Sequence, residues 1–186
     1  MTAIGLLVLG AIHRRGRAHG YQVRADLESW AAHEWAAAKP GSIYHALKAM
    51  AAQGLLRARE TPSDAGGPPR TEYKLTARGR AEYRSRLRGA LAARDARLDL
   101  LAAAVGLIDD LPRAEAVELL RQRAESMDAW YSSVSEHVPR GTNLEEWGPV
   151  GEVISLWLHT AQSRAEWTRQ LIGRLERGVH RMADDR

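Results

Sequence analysis

The sequence predicts a mainly α-helical chain in two parts, a small helical unit closed by a two-stranded hairpin and then an all-helical tail. Three observations predict it. Apolar residues recur at helical spacing along most of the 186 residues. Two short alternating segments flank a single Gly- and Pro-rich stretch, TPSDAGGPPR, which cannot be helix. Charge is divided between the parts: residues 1–88 hold 15 Lys/Arg against 7 Asp/Glu, a net of +8, and residues 89–186 hold 12 against 16, a net of −4.

The elements follow in order. Ile4, Leu7, Val8 and Ala11 make residues 2–12 a first helix. His13–Gly20 (HRRGRAHG) is a basic, Gly-punctuated turn. Tyr21–Trp35 is a second helix with Val23, Leu27 and Trp30 on one side. Pro40–Gln53 is a third, with Pro suited to its first turn and Gly54 just past its end. Leu55–Glu60 and Thr71–Leu75 read as strands around the loop, and Thr76 caps the helix that follows.

Beyond that point only helices are expected. Leu87, Leu91, Leu98, Leu101, Val105 and Ile108 keep one face, with a possible break near Arg94. Pro112 starts a helix carrying Leu120, Ala124, Met127, Tyr131 and Val134, and Val138–Pro149 is a loop. The last helix, Val150–Arg177, has a stripe of Val150, Ile154, Trp157, Leu158, Ala161, Ala165, Leu171, Ile172 and Leu175. This order describes a winged helix-turn-helix, three helices plus a two-stranded wing, followed by an α-helical C-terminal domain. The division is placed after Arg88, into residues 1–88 and 89–186.

Composition narrows the function. There are no cysteines, which excludes disulfide scaffolds and thiolate chemistry and fits a reducing, cytoplasmic setting. No apolar run approaches the ~20 residues of a membrane helix, so no membrane partner is expected. MTAIGLLVLGAIH lacks the flanks of a secretory signal. All basic residues except Lys39, Lys48 and Lys74 are arginine. A basic first part beside an acidic second part suggests that one meets a polyanion; the alternative is a solvated surface with segregated charges.

The third helix sharpens that choice. At ~100° per residue, Ile43, Leu47 and Met50 fall together, with Ala46 close by. Gly41, Tyr44, His45, Lys48 and Ala52 fall opposite. Small residues there let a backbone approach a major groove, while Lys and Tyr reach phosphates or bases. Pro40, Gly41 and Ser42 sit at the helix start, whose free N–H groups favour a phosphate. An ordinary amphipathic helix would look the same in isolation. The wing that follows, ending in Arg70, turns the balance towards DNA.

These residues resemble the PadR family of transcriptional regulators over about residues 4–83. The resemblance rests on four runs in order: His19-Gly20-Tyr21-Gln22-Val23, then Lys39 to Leu47 (KPGSIYHAL), then Gln53-Gly54-Leu55-Leu56, then Gly66 to Gly79 (GGPPRTEYKLTARG). It implies a winged-helix domain, a homodimer and repression relieved by a small molecule. It also implies that Pro40–Tyr44 enters the groove and that Arg70 and Thr71 flank the wing. The family's wing commonly carries basic residues where this chain has Pro68 and Thr71, so either Arg70 carries more of the wing contact or the wing binds more weakly. The basic turn with Arg14, Arg15 and Arg17 is longer here, and either adds phosphate contacts or is solvated. The long tail resembles members with a multi-helix C-terminal domain.

Nothing points to an enzyme. There is no Walker loop, dinucleotide Gly motif or nucleophile elbow, and none of the seven histidines pairs with another at i,i+3 or i,i+4. No catalytic residue, metal site or cofactor is expected. Trp30 and Trp35 are read as core. Trp157 lies on the last helix's stripe, Trp130 on the flank of its own, and Trp167 well off the stripe. These three line either a subunit interface or an aromatic cavity that takes a small aromatic effector. The sequence therefore reads as a ligand-responsive, sequence-specific transcriptional regulator, a repressor that binds an inverted-repeat operator as a homodimer. Its contacts are Gly41, Ser42, Tyr44, His45, Lys48, Arg70 and Thr71. The rival reading is a small-molecule-binding or protein-interaction module on a winged-helix scaffold that has lost DNA binding.

Overall fold

The computed structural model describes residues 2–62, 70–138 and 143–185. Most of the wing loop, residues 63–69 with Gly66, Gly67, Pro68 and Pro69, lies outside the described residues, as do residues 139–142 of the expected loop Val138–Pro149. The chain forms two compact units, Met1–Ala90 with Ala96–Ile108, and Leu91–Asp95 with Asp109–Arg186.

The first unit opens with α1 (Ala3–Arg15), capped by Thr2, whose hydroxyl accepts the Gly5 N–H at 3.3 Å. Leu6, Leu7, Val8, Leu9 and Ile12 are all buried, so this helix is a core rod and not an amphipathic surface element. The helix runs three residues further than expected. The turn after it is short, and Ala18–His19 forms β1, a strand too brief to leave a periodic signal.

The second helix also departs from expectation. Instead of one run from Tyr21 to Trp35 there are α2 (Gly20–Ser29) and the one-turn α3 (Ala32–Trp35), separated by Ala31 in a left-handed conformation at φ 50°. Alanine is a strong helix former, so the residues give no warning. The break is set by packing, which buries Ala32, Ala36 and Ala38. Trp30 becomes a half-buried cap and Trp35 is 36% exposed, so neither is the core residue expected.

The third predicted helix is present as α4 (Pro40–Ala52), with proline in its first turn and Ile43, Leu47 and Met50 as its buried face. β2 (Leu56–Thr61) and β3 (Arg70–Leu75) follow. The sheet has three strands, not two, in the order β1-β3-β2 and antiparallel throughout. Its two faces differ. The Leu56–Leu75 pair is buried and Ala58 sits opposite Tyr73, while Arg57 and Lys74, and Arg59 and Glu72, are paired on the other face.

α5 (Ala77–Ala92) starts at the predicted cap, where the Thr76 hydroxyl accepts the Gly79 N–H at 2.9 Å. The possible break near Arg94 is real, and α6 (Leu98–Gly106) follows it. α6 packs on α1 in the first unit. Contact is so close that a Cβ on Gly10 would lie 2.7 Å from both Leu107 methyls. The division drawn after Arg88 therefore differs from the compact units. The apolar face of Leu101, Leu107 and Ile108 closes the first core instead of opening the tail's.

In the second unit α7 (Arg113–Glu136) packs along α8 (Pro149–Glu176). Leu120, Ala124 and Met127 meet Ala161, Ala165, Leu171, Ile172 and Leu175 as the buried set. The end of the chain folds back onto the start of α7. The Arg113 guanidinium donates to the carbonyls of Leu175 at 2.6 Å and His180 at 3.0 Å and pairs with Asp185. The predicted stripe of α8 holds only in its second half. In its first half Ile154 and Leu158 are half-buried, and Val150 and Trp157 are more than half exposed. No helix among the described residues is long and apolar enough to cross a membrane.

Candidate nucleic-acid interface

α4 presents the face the wheel predicts. Gly41, Tyr44, His45, Lys48 and Ala52 are exposed, opposite fully buried Ile43 and Leu47. Around Gly41 nothing lies within 4 Å of where a Cβ would stand, so a second molecule can approach that backbone. Lys48 makes no ion pair among the described residues, which leaves its charge available to a partner. Ser42 is half-buried and shares a shallow groove with Thr2, Ile4, Met50 and Arg86. It is the least outward-facing of the predicted contacts on this helix.

Tyr44 has two roles in the packing. It is 39% exposed, yet its ring lies against the first residue of α2. A Cβ on Gly20 would stand 2.6 Å from the ring's Cε1. The ring thus lies directly over Gly20, and a larger residue there would require the ring to move. Beneath it, burial and the neighbouring Tyr44 push the Tyr73 phenol above its ordinary value.

The wing residues sit at the sheet's outer end. Arg70 is exposed at the first position of β3, and its carbonyl accepts the Thr61 hydroxyl at 3.0 Å. The Arg70 guanidinium lies 5.4 Å from the centre of the Tyr21 ring. Tyr21 in turn stacks on His19, with ring centres 5.7 Å apart and planes 7° from parallel. Thr71 is half-buried, and its carbonyl is 3.3 Å from His19 Nδ1. That places Thr71 in the sheet's bonding more than on its surface.

The basic turn is largely committed to internal contacts. Arg15 grips Asp26 through both carboxylate oxygens, at 2.5 and 2.6 Å, and that hydrogen bond raises its pKa further. Arg14 donates to the Gly106 carbonyl at 3.3 Å and lies 6.0 Å from the Trp30 ring. Arg17, 73% exposed, is 3.8 Å from Glu72. Of the two readings left open for this turn, only Arg17 keeps the freedom that a phosphate contact needs.

Three residues on this surface escaped the sequence reading. Arg57 and Arg59 project from the charged face of β2, and Tyr21 from the first turn of α2. The alternation in LRARE carried the signal for the two arginines. Tyr21 gave none, because its neighbours come from β1 and β3.

The tail tryptophans are split. Trp130 and Trp157 meet at a pocket of about 350 Å³ with Arg94, Asp95, Leu156 and Arg164. The Arg94 guanidinium is 5.2 Å from the Trp130 ring centre. Trp167 does not line this pocket. Two arginines and one aspartate give its lining a positive sign, against the net −4 of residues 89–186. Close by, Arg123 is fully buried, with its Nη1 donating to the Ala93 carbonyl and its Nε and Nη2 without a hydrogen-bond partner among the described residues. Burial, and then repulsion from Arg164, lower its pKa to about 10 against a smaller opposing pull from Asp95.

Comparison with known proteins gives one family match: residues 8–85 match the Transcriptional regulator PadR-like family. No curated protein matches the chain. Solved structures with a similar chain course include Bacillus subtilis PadR in complex with operator DNA, 18% identical over 92% of this chain and 98% of that one, at a TM-score of 0.43. The same protein in complex with p-coumaric acid is 19% identical over 94% and 99%, at 0.39. The protein smu.1604c from Streptococcus mutans UA159 is 20% identical over 93% and 99%, at 0.41.

Proposed function

We propose that the chain, whose residues 8–85 match the PadR-like family of transcriptional regulators, represses transcription by binding an inverted-repeat operator as a homodimer. The observation that carries this reading is the outer face of α4. It combines a backbone open to approach at Gly41, a lysine without an ion-pair partner among the described residues and an aromatic hydroxyl, all over a buried edge. The positive face of β2 and β3 extends the same charge. Gly41, Tyr44, His45 and Lys48 approach the groove, Arg70 reaches the backbone beside it, and Ser42 and Thr71 support the two elements.

The exposed apolar half of α8 supports dimerisation. Val150, Val153, Leu156 and Trp157 lie at helical spacing and are 43–62% exposed, an unfavourable surface for a solvated helix. A small planar effector binds between Trp130 and Trp157, and Trp167 is outside that site. Linkage then requires the effector to weaken operator affinity by the factor by which operator weakens the effector's.

The test is footprinting on the DNA upstream of the chain's own gene. The expected result is two protected half-sites about one helical turn, ~34 Å, or a multiple apart. Absence of any protected palindrome at low salt overturns the reading and favours a winged-helix module without DNA binding.

A further inference from the structure

We infer that Tyr21 is a positioning residue for the wing: its ring, stacked on His19, holds the Arg70 guanidinium in the orientation that meets a DNA phosphate. The inference rests on the DNA-binding reading above.

The fold puts these three side chains together from separate elements. β1 is only two residues long, but it pairs antiparallel with β3, Ala18 opposite Tyr73 and His19 opposite Glu72. That pairing fixes the last residue before α2 at the sheet edge. The His19 N–H donates to Gln22 Oε1 at 2.8 Å, which locks the first turn of α2, and the His19 ring nitrogen lies 3.3 Å from the Thr71 carbonyl. Tyr21 is therefore carried on a rigid corner, directly beside the strand that begins with Arg70.

Tyr21 is 49% exposed, which packing alone does not explain. An aromatic face next to a guanidinium attracts the cation and leaves the planar fork's N–H donors free at the edge. Arg70 begins its strand next to the wing loop and forms no ion pair among the described residues. Without the ring its side chain would explore many rotamers and lose that entropy on each phosphate contact. The ring removes part of that loss in advance, so Tyr21 acts on DNA through Arg70 and need not touch DNA itself.

The experiment is a double-mutant cycle read with a short random-sequence duplex, since a phosphate contact is independent of operator sequence. Affinity is measured over a salt series for the full chain and for Tyr21→Leu, Tyr21→Phe, Arg70→Ala and Tyr21→Leu/Arg70→Ala. Tyr21→Leu is expected to lower affinity roughly three- to fivefold. Tyr21→Phe is expected to keep it, because the ring and not the hydroxyl is used. Arg70→Ala is expected to lower the salt slope by about 0.9. In the Arg70→Ala background Tyr21→Leu is expected to add nothing. A full additional loss there, or a loss in Tyr21→Phe equal to that in Tyr21→Leu, makes Tyr21 a direct contact and overturns the proposal. A Tyr21→Leu chain that binds like the parent overturns it as well.

A readout without DNA separates this from failure of the DNA reading. The Arg70 side-chain protons are expected to show an upfield ring-current shift in NMR spectra, retained in Tyr21→Phe and lost in Tyr21→Leu. If the parent chain binds no duplex, the DNA reading falls and the positioning role falls with it. If the parent binds but the shift is absent from its spectrum, the DNA reading stands and the proposal alone is wrong.

Discussion

α4 and α8 are both amphipathic in sequence, and their outer faces have opposite characters. The outer face of α4 is small, polar and positive, and is stable in water without a cover. The first half of α8 turns Val150, Val153, Leu156 and Trp157 outwards, all apolar. Periodicity reports a stripe in both helices but not how much of it one chain can bury. In α4 the stripe is three residues, and the core of the first unit covers them. In α8 the stripe runs along a helix of 28 residues, and α7 covers mainly its second half. A polar outer face suits transient contact with a charged ligand, and an apolar one calls for lasting cover.

The largest expected break in this comparison is a truncation. Ending the chain after Arg88 removes Leu101, Leu107 and Ile108 from the core around α1. That fragment should aggregate or lose cooperative melting. One ending after Asp110 should stay folded and bind DNA weakly and with strong salt dependence. Circular dichroism melts of the two fragments decide it, and equal stability would refute the assignment of α6 to the first core.

Within the first unit, Leu47→Ala should cost ~2–5 kcal/mol in denaturant unfolding, because its side chain is fully buried under α4. On the exposed apolar part of α8, Leu156→Glu should leave unfolding nearly unchanged. Its effect belongs to assembly: the parent should sediment as a dimer and the variant as a monomer at the same concentration. A monomeric parent would remove the exposed face as an argument for dimerisation.

A smaller effect is expected at Arg123. Its pKa is lowered to about 10, so the folded state binds this proton more weakly than the unfolded chain. The penalty is complete below pH 10 and is relieved as pH rises from there towards the ordinary arginine value. Arg123→Met removes the buried charge. The parent's stability relative to that variant should therefore increase between pH 9 and 11, followed by urea unfolding at each pH. At pH 7 the variant should melt at or above the parent temperature, since an apolar replacement of similar volume avoids burying an ion. A lower melting temperature would mean that the bond to the Ala93 carbonyl outweighs desolvation.

The smallest change belongs to α4 itself. Lys48→Ala should leave the melting temperature in place and reduce the salt slope of DNA binding by about 0.9. An unchanged slope would remove Lys48 from the phosphate contacts.

How legible these regions were follows from the range of the forces involved. α4 was readable because its buried and exposed faces lie within 13 residues and obey one period. The strands were readable from alternation and from the breaker-rich loop between them. β1 was not, because two residues carry no period and its partner lies more than fifty positions away. The break at Ala31 was not, because alanine favours the helix that packing interrupts. Trp157 lay correctly on the α8 stripe, but its burial depends on what covers that stripe, which one chain's periodicity does not contain. In the candidate interface, Lys48 and Arg70 announced themselves by charge and position. Tyr21 became visible only when three elements met.

The contact between Gly20 and Tyr44 has a consequence for redesign. With no side chain at position 20, an aromatic ring fills the space over it, much as a shim fills the clearance between machine parts. A side chain at position 20 would push the ring aside, and with it one of the exposed side chains of α4. On the DNA-binding reading proposed above, attempts to retarget the protein to a new sequence should vary His45, exposed on the same face, and keep the glycine–tyrosine pair in place, since phosphate contacts such as that expected of Lys48 carry no sequence information.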